Sequence, residues 1–214
     1  MRQFRLPQLD ERLKTVFDLF PACDIGADIG ADHGRLSCNL LAQGKVKHML
    51  VTDLSAPSLE KAKQLFRIHG LENCAEFCLG DGLSALEQPA EGIAICGMGG
   101  EVIRHILTEG KGRLHGASVV VSPQTDLPLV RKTVSEIGYH ITGEETAFSA
   151  GRYYVIMKAE PGNIQYSEKE LFLGPVLMTN QGDRTRGYYA WRYDVECCVK
   201  DLDPKYLEWL REVM

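Results

Sequence analysis

The feature that most constrains the fold is an apolar run that leads into an acid and two glycines. Residues 23–34 read CDIGADIGADHG, so a strand-like segment is followed by Asp28, Gly30 and Gly34. Glycine tolerates positive φ and allows a backbone to approach a ligand closely. A helix is expected from about Leu36, and its free N-terminal N–H groups would point into the same space. The run therefore predicts a buried strand, a ligand-binding loop and a helix.

The spacing of this loop fits S-adenosylmethionine better than a dinucleotide. A dinucleotide loop reads G-x-G-x-x-G and holds a diphosphate, whereas Asp32 in this loop would repel one. Asp28 and Asp32 could instead bind the cationic amino group of a methionine tail, and His33 could orient a ligand. The alternative for the loop alone is a tight turn with solvated aspartates.

Strands and helices alternate along most of the chain. The apolar pattern predicts a first helix over 6–19, strands at 23–29, 48–53, 75–79, 93–96 and 118–121 with helices between them, and two final strands at 139–146 and 153–158. Such alternation implies a parallel sheet covered by helices, and the last two strands form an antiparallel hairpin at its edge. We therefore predict an α/β fold: a Rossmann-like, seven-stranded methyltransferase sheet with helices on both faces.

The composition of the chain changes after residue 160. Residues 161–214 are polar and helical, and Pro204 divides the last part into two helices. We predict a methyltransferase domain at 1–160 and a small C-terminal helical appendage at 161–214. Basic residues that could contact phosphates, or simply form solvated faces, are Arg104, His105, Lys111, Arg113 and His115 in one run and Arg184, Arg186 and Arg192 in another. Tyr188 or Trp191 could stack on a base, or pack between the helices.

Acids and glycines also follow the other predicted strands, and the carboxyl ends of parallel strands share one edge of a sheet. Asp53 could accept hydrogen bonds from two ribose hydroxyls, or could cap the next helix. Asp81, between two glycines, could accept a hydrogen bond from an adenine amino group. The predicted cofactor-binding residues are Asp28, Gly30, Asp32, His33, Gly34, Asp53, Leu54, Gly80, Asp81, Gly82, Gly97, Met98 and Gly99.

The loops after the fourth and fifth strands indicate where chemistry would take place. Three glycines stand in Gly97–Gly100, where a flat ring or a reactive methyl group could pass close to the backbone. Gln124 carries both a donor and an acceptor, so it could read a base edge or face solvent in a loop. We predict Asp32, His33 and Gln124 as the candidate catalytic residues, with Asp32 stabilising a cationic product.

These motifs together resemble one known family. The segments DIGADHG at 28–34, GDGL at 80–83 and GMGGEVIRHILTEG at 97–110 are similar to those of the TrmK family, bacterial class I methyltransferases that methylate N1 of adenine 22 in tRNA. The resemblance implies a Rossmann-like sheet with a C-terminal helical domain, S-adenosyl-L-methionine as cofactor and tRNA as substrate. Arg35 and Ser37 stand where the family has an aromatic residue and a proline, and Ser122-Pro123-Gln124 stands where it has Gln-Pro-Asn, in the implied base pocket.

The bulk properties leave two other functions open. A net charge of −5 favours a methyltransferase that acts on a small molecule. A module that binds S-adenosylmethionine without catalysis is the second alternative. The sequence has no apolar run of the roughly 20 residues that a membrane span needs, and the N-terminus lacks a signal-peptide core. Seven cysteines without a C-x-x-C pair predict a cytoplasmic protein and no metal site. The oligomeric state stays open.

Overall fold

The protein is described by a computed structural model that covers residues 5–214. The helices are α1 (Glu11–Leu19), α2 (Arg35–Ala42), α3 (Ala56–His69), α4 (Gly100–Glu109), α5 (Leu127–Glu136), α6 (Glu168–Leu173), α7 (Asp183–Glu196) and α8 (Pro204–Val213). The strands are β1 (Cys23–Ile29), β2 (Val46–Asp53), β3 (Ala75–Leu79), β4 (Gly92–Met98), β5 (Ser118–Pro123), β6 (Tyr139–Ser149) and β7 (Arg152–Pro161). The start of the predicted first domain, residues 1–4, lies outside the described residues.

The strands form one seven-stranded sheet in the order β3-β2-β1-β4-β5-β7-β6. Strands β1 to β5 run parallel, whereas β7 is antiparallel to both β5 and β6. This confirms the predicted parallel sheet with an antiparallel hairpin at its edge. The strand order reverses at β1, which pairs with both β2 and β4. In such sheets the crevice outside the carboxyl ends at the reversal is the usual ligand site.

Helices cover both faces of the sheet, as predicted. Successive residues of a strand point to opposite faces, and in β4 Ile93 and Ile95 join one hydrophobic cluster while Ala94 joins the other. The cluster that contains Ala94 includes residues of α1, α2 and α3. The cluster that contains Ile93 includes residues of α4 and α5, together with residues of α6, α7 and α8.

The C-terminal helices therefore share a core with the sheet. Tyr188, Tyr189 and Leu210 are each at most 2% exposed and belong to the same cluster as Ile93. The helices predicted for this part of the chain are present, and they pack on the face that α4 and α5 also cover. The division of the chain at residue 160 stays a prediction.

A buried ion pair holds the segment that leads into these helices. The Arg131 side chain of α5 donates to Glu144 Oε1 at 2.8 Å and to the carbonyl oxygen of Leu171 at 2.8 Å. The other oxygen, Glu144 Oε2, accepts the backbone N–H groups of Val176 at 3.0 Å and Leu177 at 2.9 Å. Both side chains of the pair are fully buried. The pair thus links α5 and β6 to the chain around α6.

The predicted element boundaries differ from the structure mainly at the ends. Helix α1 begins at Glu11 instead of residue 6, because the Asp10 side chain accepts the N–H of Leu13 at 2.8 Å and caps the helix there. Strands β6 and β7 are longer than predicted, since pairing continues from Thr146 to Ser149, through the buried Ala147 and the exposed Phe148. Among residues 5–214, no helix is long and apolar enough to cross a membrane.

Candidate functional site

A cleft of about 480 Å³ lies at the carboxyl ends of the parallel strands. The predicted site residues that line it are Asp28, Gly30, Asp32, His33, Asp53, Leu54, Gly80, Asp81, Gly82, Gly97, Met98 and Gln124. Asp10, Arg12 and Leu13, from the start of α1, line it as well. The structure therefore brings most of the predicted residues together in one cavity, at the reversal of strand order.

The β1–α2 loop adopts the backbone that its glycines predicted. Gly30 and Gly34 have φ values of 68° and 66°, and Asp32 between them has φ 52°. A positive φ is uncommon for a residue other than glycine, although aspartate adopts it more readily than most. The backbone N–H of Asp32 donates to Asp53 Oδ2 at 2.9 Å, which fixes the loop against the end of β2.

Asp53 is bound by backbone groups on both of its oxygens. Oδ2 accepts from Asp32, and Oδ1 accepts the N–H of Ser55 at 2.8 Å. The N-cap of α3 is Ser55, whose hydroxyl accepts the N–H of Ser58 at 3.3 Å, so Asp53 is not the cap residue. A carboxylate has about four acceptor positions. Asp53 can therefore organise the loop and still accept hydroxyl groups of a ligand.

Asp28 lies on the floor of the cleft and is only 3% exposed. Its Oδ2 accepts the hydroxyl of Ser37, from the first turn of α2. Burial raises the pKa of Asp28 to about 6, and the nearby charge of Asp53 adds to the rise. A buried carboxylate with a shifted pKa inside a cleft is typical of a ligand site. The charged form of Asp28 would be stabilised most by a cationic ligand group.

Arg12 is the site residue that the sequence reasoning missed. Among residues 5–214, no hydrogen-bond acceptor lies within reach of its buried Nη1 atom. Arg12 lines the same cleft as Asp28 and Cys96. Burial raises the pKa of both of these groups, and the charge of Arg12 lowers it. Helical spacing could have revealed it, because Arg12 stands four residues before Val16 and so faces the apolar side of α1.

The cleft is otherwise rich in acids, which makes this arginine distinctive. The charged residues that line it are Asp10, Asp28, Asp32, Asp53, Asp81, Arg12 and Arg35. The buried Nη1 of Arg12 would be left without a partner unless an anion or a carbonyl oxygen bound there, and an unpaired buried donor costs roughly 1–3 kcal/mol. Arg12 is thus the natural partner for a ligand carboxylate.

Two of the predicted glycines do not line the cleft. Gly34 begins α2, and a Cβ at this position would lie 3.0 Å from the Cβ of Ala62 in α3. Gly99 is the N-cap of α4, and a Cβ there would lie 3.4 Å from Thr125 Oγ1. Gly34 allows α2 and α3 to pack closely, whereas a Cβ on Gly99 would make only an ordinary contact. Contact of these two glycines with the cofactor stays a prediction.

The glycine run at 97–100 joins the end of β4 to the start of α4, and Gly97 and Gly100 each have a structural reason. Gly97, with φ 76°, is the point where the β4–β5 register shifts, a β-bulge that lines the cleft. A Cβ on Gly100 would come within 2.7 Å of Thr125 and Asp126. Met98 both lines the cleft and packs on the hydrophobic core. Of this run, only Gly97 and Met98 therefore line the cleft.

The three candidate catalytic residues lie at the open side of the cleft. Asp32 keeps 73% of its side chain exposed, and its carboxylate lies 3.5 Å from the imidazole of His33. His33 Nε2 also lies 3.1 Å from Lys61 Nζ. Gln124 is exposed at the end of β5, and its backbone N–H donates to the carbonyl oxygen of Met98 at 2.8 Å. Among residues 5–214, no cluster of three or more potential metal ligands occurs.

Two expectations for the C-terminal basic and aromatic residues need correction. Arg192 is 8% exposed, packs on the Phe172 ring at 3.8 Å and donates to the Phe172 carbonyl oxygen at 2.6 Å, so it is not available to phosphates. Tyr188 is 2% exposed and cannot stack on a base. Arg184, Arg186 and Trp191 remain exposed.

The strand order and the acids after the parallel strands define a class of protein, the Rossmann-like methyltransferases. A family model described as a methyltransferase domain matches residues 9–157. The chain belongs to this methyltransferase-domain family.

Known relatives agree with that assignment. The tRNA (adenine(22)-N(1))-methyltransferase of Bacillus subtilis is 30% identical over 158 residues, which cover 73% of this chain and 66% of the relative, just under two thirds of its length. A Streptococcus pneumoniae protein solved with S-adenosyl-L-methionine has a TM-score of 0.89 at 24% identity, covering 96% of this chain and 99% of that one. The B. subtilis m1A22 tRNA methyltransferase TrmK has a TM-score of 0.82 at 24% identity, covering 98% and 99%. At these identities the two structures establish the fold.

Proposed function

We propose that this chain is an S-adenosylmethionine-dependent methyltransferase that modifies N1 of adenine 22 in tRNA. The observation that carries the proposal is the cleft, in which acids from three strand ends meet the buried Nη1 atom of Arg12. The B. subtilis relative, which carries this activity in its name, supports the choice of substrate. S-adenosylmethionine supplies an electrophilic methyl group when it is bound.

The residues of the cleft fit the three polar parts of this cofactor. Asp53 would accept the ribose hydroxyls, as acids after the second strand do in Rossmann sheets. Asp81 would accept a hydrogen bond from the adenine amino group, beside the apolar surface of Leu54. Asp28 would bind the ammonium group, and the free Nη1 of Arg12 would bind the carboxylate.

The proposed acceptor needs positioning more than proton removal. N1 of neutral adenine has a free lone pair, so no strong base is required, and orientation can supply most of the rate. N1 is paired in a duplex, so the base must be unpaired or extruded. The methylated base is cationic, and the exposed carboxylate of Asp32 would stabilise this charge. His33 would orient Asp32, and Gln124 would hydrogen-bond the base edge.

The cysteines support a reducing compartment for this activity. All seven cysteines are free thiols. A cytoplasmic location, where tRNA is modified, is therefore part of the proposal.

The test is methylation of a defined tRNA. Purified protein is incubated with labelled S-adenosylmethionine and an unmodified tRNA transcript, and the digested RNA is analysed for 1-methyladenosine. The matched control is the same transcript with guanosine at position 22. We expect label in 1-methyladenosine from the first transcript only. Label in another nucleoside, equal label in both transcripts, or transfer to small molecules alone would contradict the proposal.

A further inference from the structure

A second pocket lies beside the methyltransferase cleft. It has a volume of about 370 Å³ and is formed by the β5–α5 loop, the start of β7 and helix α7. Gln124 lines both cavities, and Arg152 at the rim of the second donates to the Gln124 carbonyl oxygen at 2.8 Å. Whatever occupies the second pocket therefore lies next to the molecule that enters the cleft.

An aromatic cluster forms one wall of this pocket. Tyr153 and Trp191 line it, with ring centroids 5.7 Å apart, and Tyr188 packs behind them at 6.0 Å from Tyr153. Trp191 is 38% exposed, whereas Tyr188 is buried. An aromatic surface is thus presented to solvent, in which the rings of Tyr153 and Trp191 are tilted by 43° against each other.

A glycine inside helix α7 lets the helix pack closely against this aromatic wall. Gly187 stands inside α7, where glycine costs about 1 kcal/mol relative to alanine. A Cβ at residue 187 would lie only 2.7 Å from the hydroxyl oxygen of Tyr153. The glycine therefore allows Tyr153 to lie against the helix beside Trp191.

Positive charge borders the same pocket on the side of the cleft. The guanidinium of Arg152 lies 4.7 Å from the centroid of the Tyr154 ring, and that of Arg12 lies 5.6 Å from the same centroid. Arg152 is exposed. The Tyr154 ring is thus close to an arginine of the cleft and to an arginine of the second pocket, and the latter is available to a phosphate.

We infer that this second pocket binds an unpaired RNA base next to the adenine that is methylated. Aromatic surfaces bind bases of single-stranded RNA by stacking, and a nearby arginine completes such sites by contacting the backbone. The methylated base must reach the cleft, so a pocket separated from it by Gln124 suits the neighbouring nucleotide. The inference rests on the proposed function and names the part of the substrate that this surface holds.

The first experiment compares kinetic constants for the tRNA transcript. Trp191→Ala should raise the KM for tRNA about 5- to 150-fold, the range for loss of one base stacked on an aromatic side chain. It should leave kcat and the affinity for S-adenosylhomocysteine unchanged, because the lost contact is made equally before and during the reaction. Trp191→Phe, which keeps an aromatic ring, should show a smaller increase. Ile68→Ala, at a half-exposed apolar residue of α3, is the control and should match wild type.

The second experiment measures binding without catalysis. Trp191 and Trp209 are the two tryptophans of the chain, so Trp209→Phe leaves Trp191 as the only indole reporter. A single-stranded oligoribonucleotide added in the presence of S-adenosylhomocysteine should quench its fluorescence if a base stacks on it.

The outcomes separate this inference from the proposed function. An unchanged KM for tRNA in a folded Trp191→Ala protein, or no quenching, would overturn the inference while the wild type still forms 1-methyladenosine. A change in oligomeric state by light scattering, with KM unaltered, would assign the surface to a protein contact and also overturn it. Quenching without any 1-methyladenosine in wild type would instead overturn the proposed function.

Discussion

Arg12 and Asp28 both line the cleft, and burial is unfavourable both for the Nη1 atom of Arg12 and for the carboxylate of Asp28. Arg12 Nη1 has no acceptor among residues 5–214, and Asp28 is buried with a raised pKa. Buried charges and unpaired buried donors cost stability. The Ser37 hydroxyl and the charge of Arg12 offset part of the cost for Asp28, whereas Arg12 Nη1 has no partner within the described structure. The two residues therefore fit a zwitterionic ligand group with opposite charges to theirs.

Replacement of Arg12 should affect only the methionine end of the cofactor. Arg12→Ala should raise the Kd for S-adenosylhomocysteine about 10- to 100-fold, the value of one charge-assisted hydrogen bond. The Kd for 5′-methylthioadenosine, which lacks the amino-acid end, should not change. Isothermal titration measures both, and Lys14→Ala, at an exposed residue of the same helix, is the control. Equal weakening of both ligands would contradict a carboxylate role.

Asp28→Asn should change how stability depends on pH. Burial raises the pKa of Asp28 from 3.8 to about 6. Between about pH 4 and pH 6 the native state binds more protons than the unfolded state, so this group lowers the free energy of unfolding as pH rises. The full effect is about 3 kcal/mol.

The variant lacks this titration, whereas the other groups of the protein are unchanged. Denaturation at several pH values should therefore show that the free energy of unfolding of the variant rises relative to that of wild type from pH 4 to pH 7. The affinity of the variant for S-adenosylhomocysteine should be lower than that of wild type. A constant difference in unfolding free energy across this range would show that Asp28 does not titrate there.

At the scale of residues, the sequence predicted that three acids would lie at one edge of the sheet, but it did not predict that Arg12 would join them in the cleft. Asp28 and Asp53 lie at the ends of β1 and β2 and Asp81 follows β3, so the parallel sheet fixes their positions at one edge. Arg12 enters the cleft from α1, and its approach depends on how that helix packs across the sheet. The position of Gly99 outside the cleft could not be predicted for the same reason, since its neighbour Thr125 comes from a distant loop.

Among the elements, β6 and α5 are joined to the C-terminal segment by a buried ion pair that the sequence does not reveal. Arg131 and Glu144 are 13 positions apart on different elements, and neither belongs to a motif. Together they satisfy backbone groups of the chain from Leu171 to Leu177. The spacing of apolar residues and the turn residues predict the helices themselves. The placement of distant segments against each other depends on tertiary contacts such as this ion pair.

Loss of this pair should be far more costly than loss of a surface pair. Glu144→Ala leaves the Arg131 charge buried and two backbone N–H groups unpaired, which should cost about 3–5 kcal/mol. Glu136→Ala removes the exposed pair with Lys132, at 3.7 Å, and should cost less than about 1 kcal/mol. Urea denaturation measures both. Similar costs for the two variants would show that the buried pair does not anchor the segment.

For the whole molecule, the same core lies under the sheet and the C-terminal helices. Tyr189 is fully buried, and its hydroxyl donates to the carbonyl oxygen of Leu173 at 3.0 Å. Removing residues 183–214 would therefore expose the face that α4 and α5 also cover. A truncated chain is for this reason a poor probe of RNA binding, and point variants such as Trp191→Ala are preferable.

The shared core also predicts how the protein unfolds. Both tryptophans, Trp191 and Trp209, stand in the C-terminal helices, so their fluorescence reports on that part of the chain. Far-ultraviolet circular dichroism reports on all the helices and strands together. Because buried residues of α7 and α8 belong to the core that contains Ile93 of β4, the two signals should change at the same urea concentration. The addition of S-adenosylhomocysteine should move both transitions upward together, since a ligand that binds only the native state stabilises everything that unfolds with its site. A fluorescence transition at lower urea, unaffected by S-adenosylhomocysteine, would show instead that residues 161–214 form a separate unit.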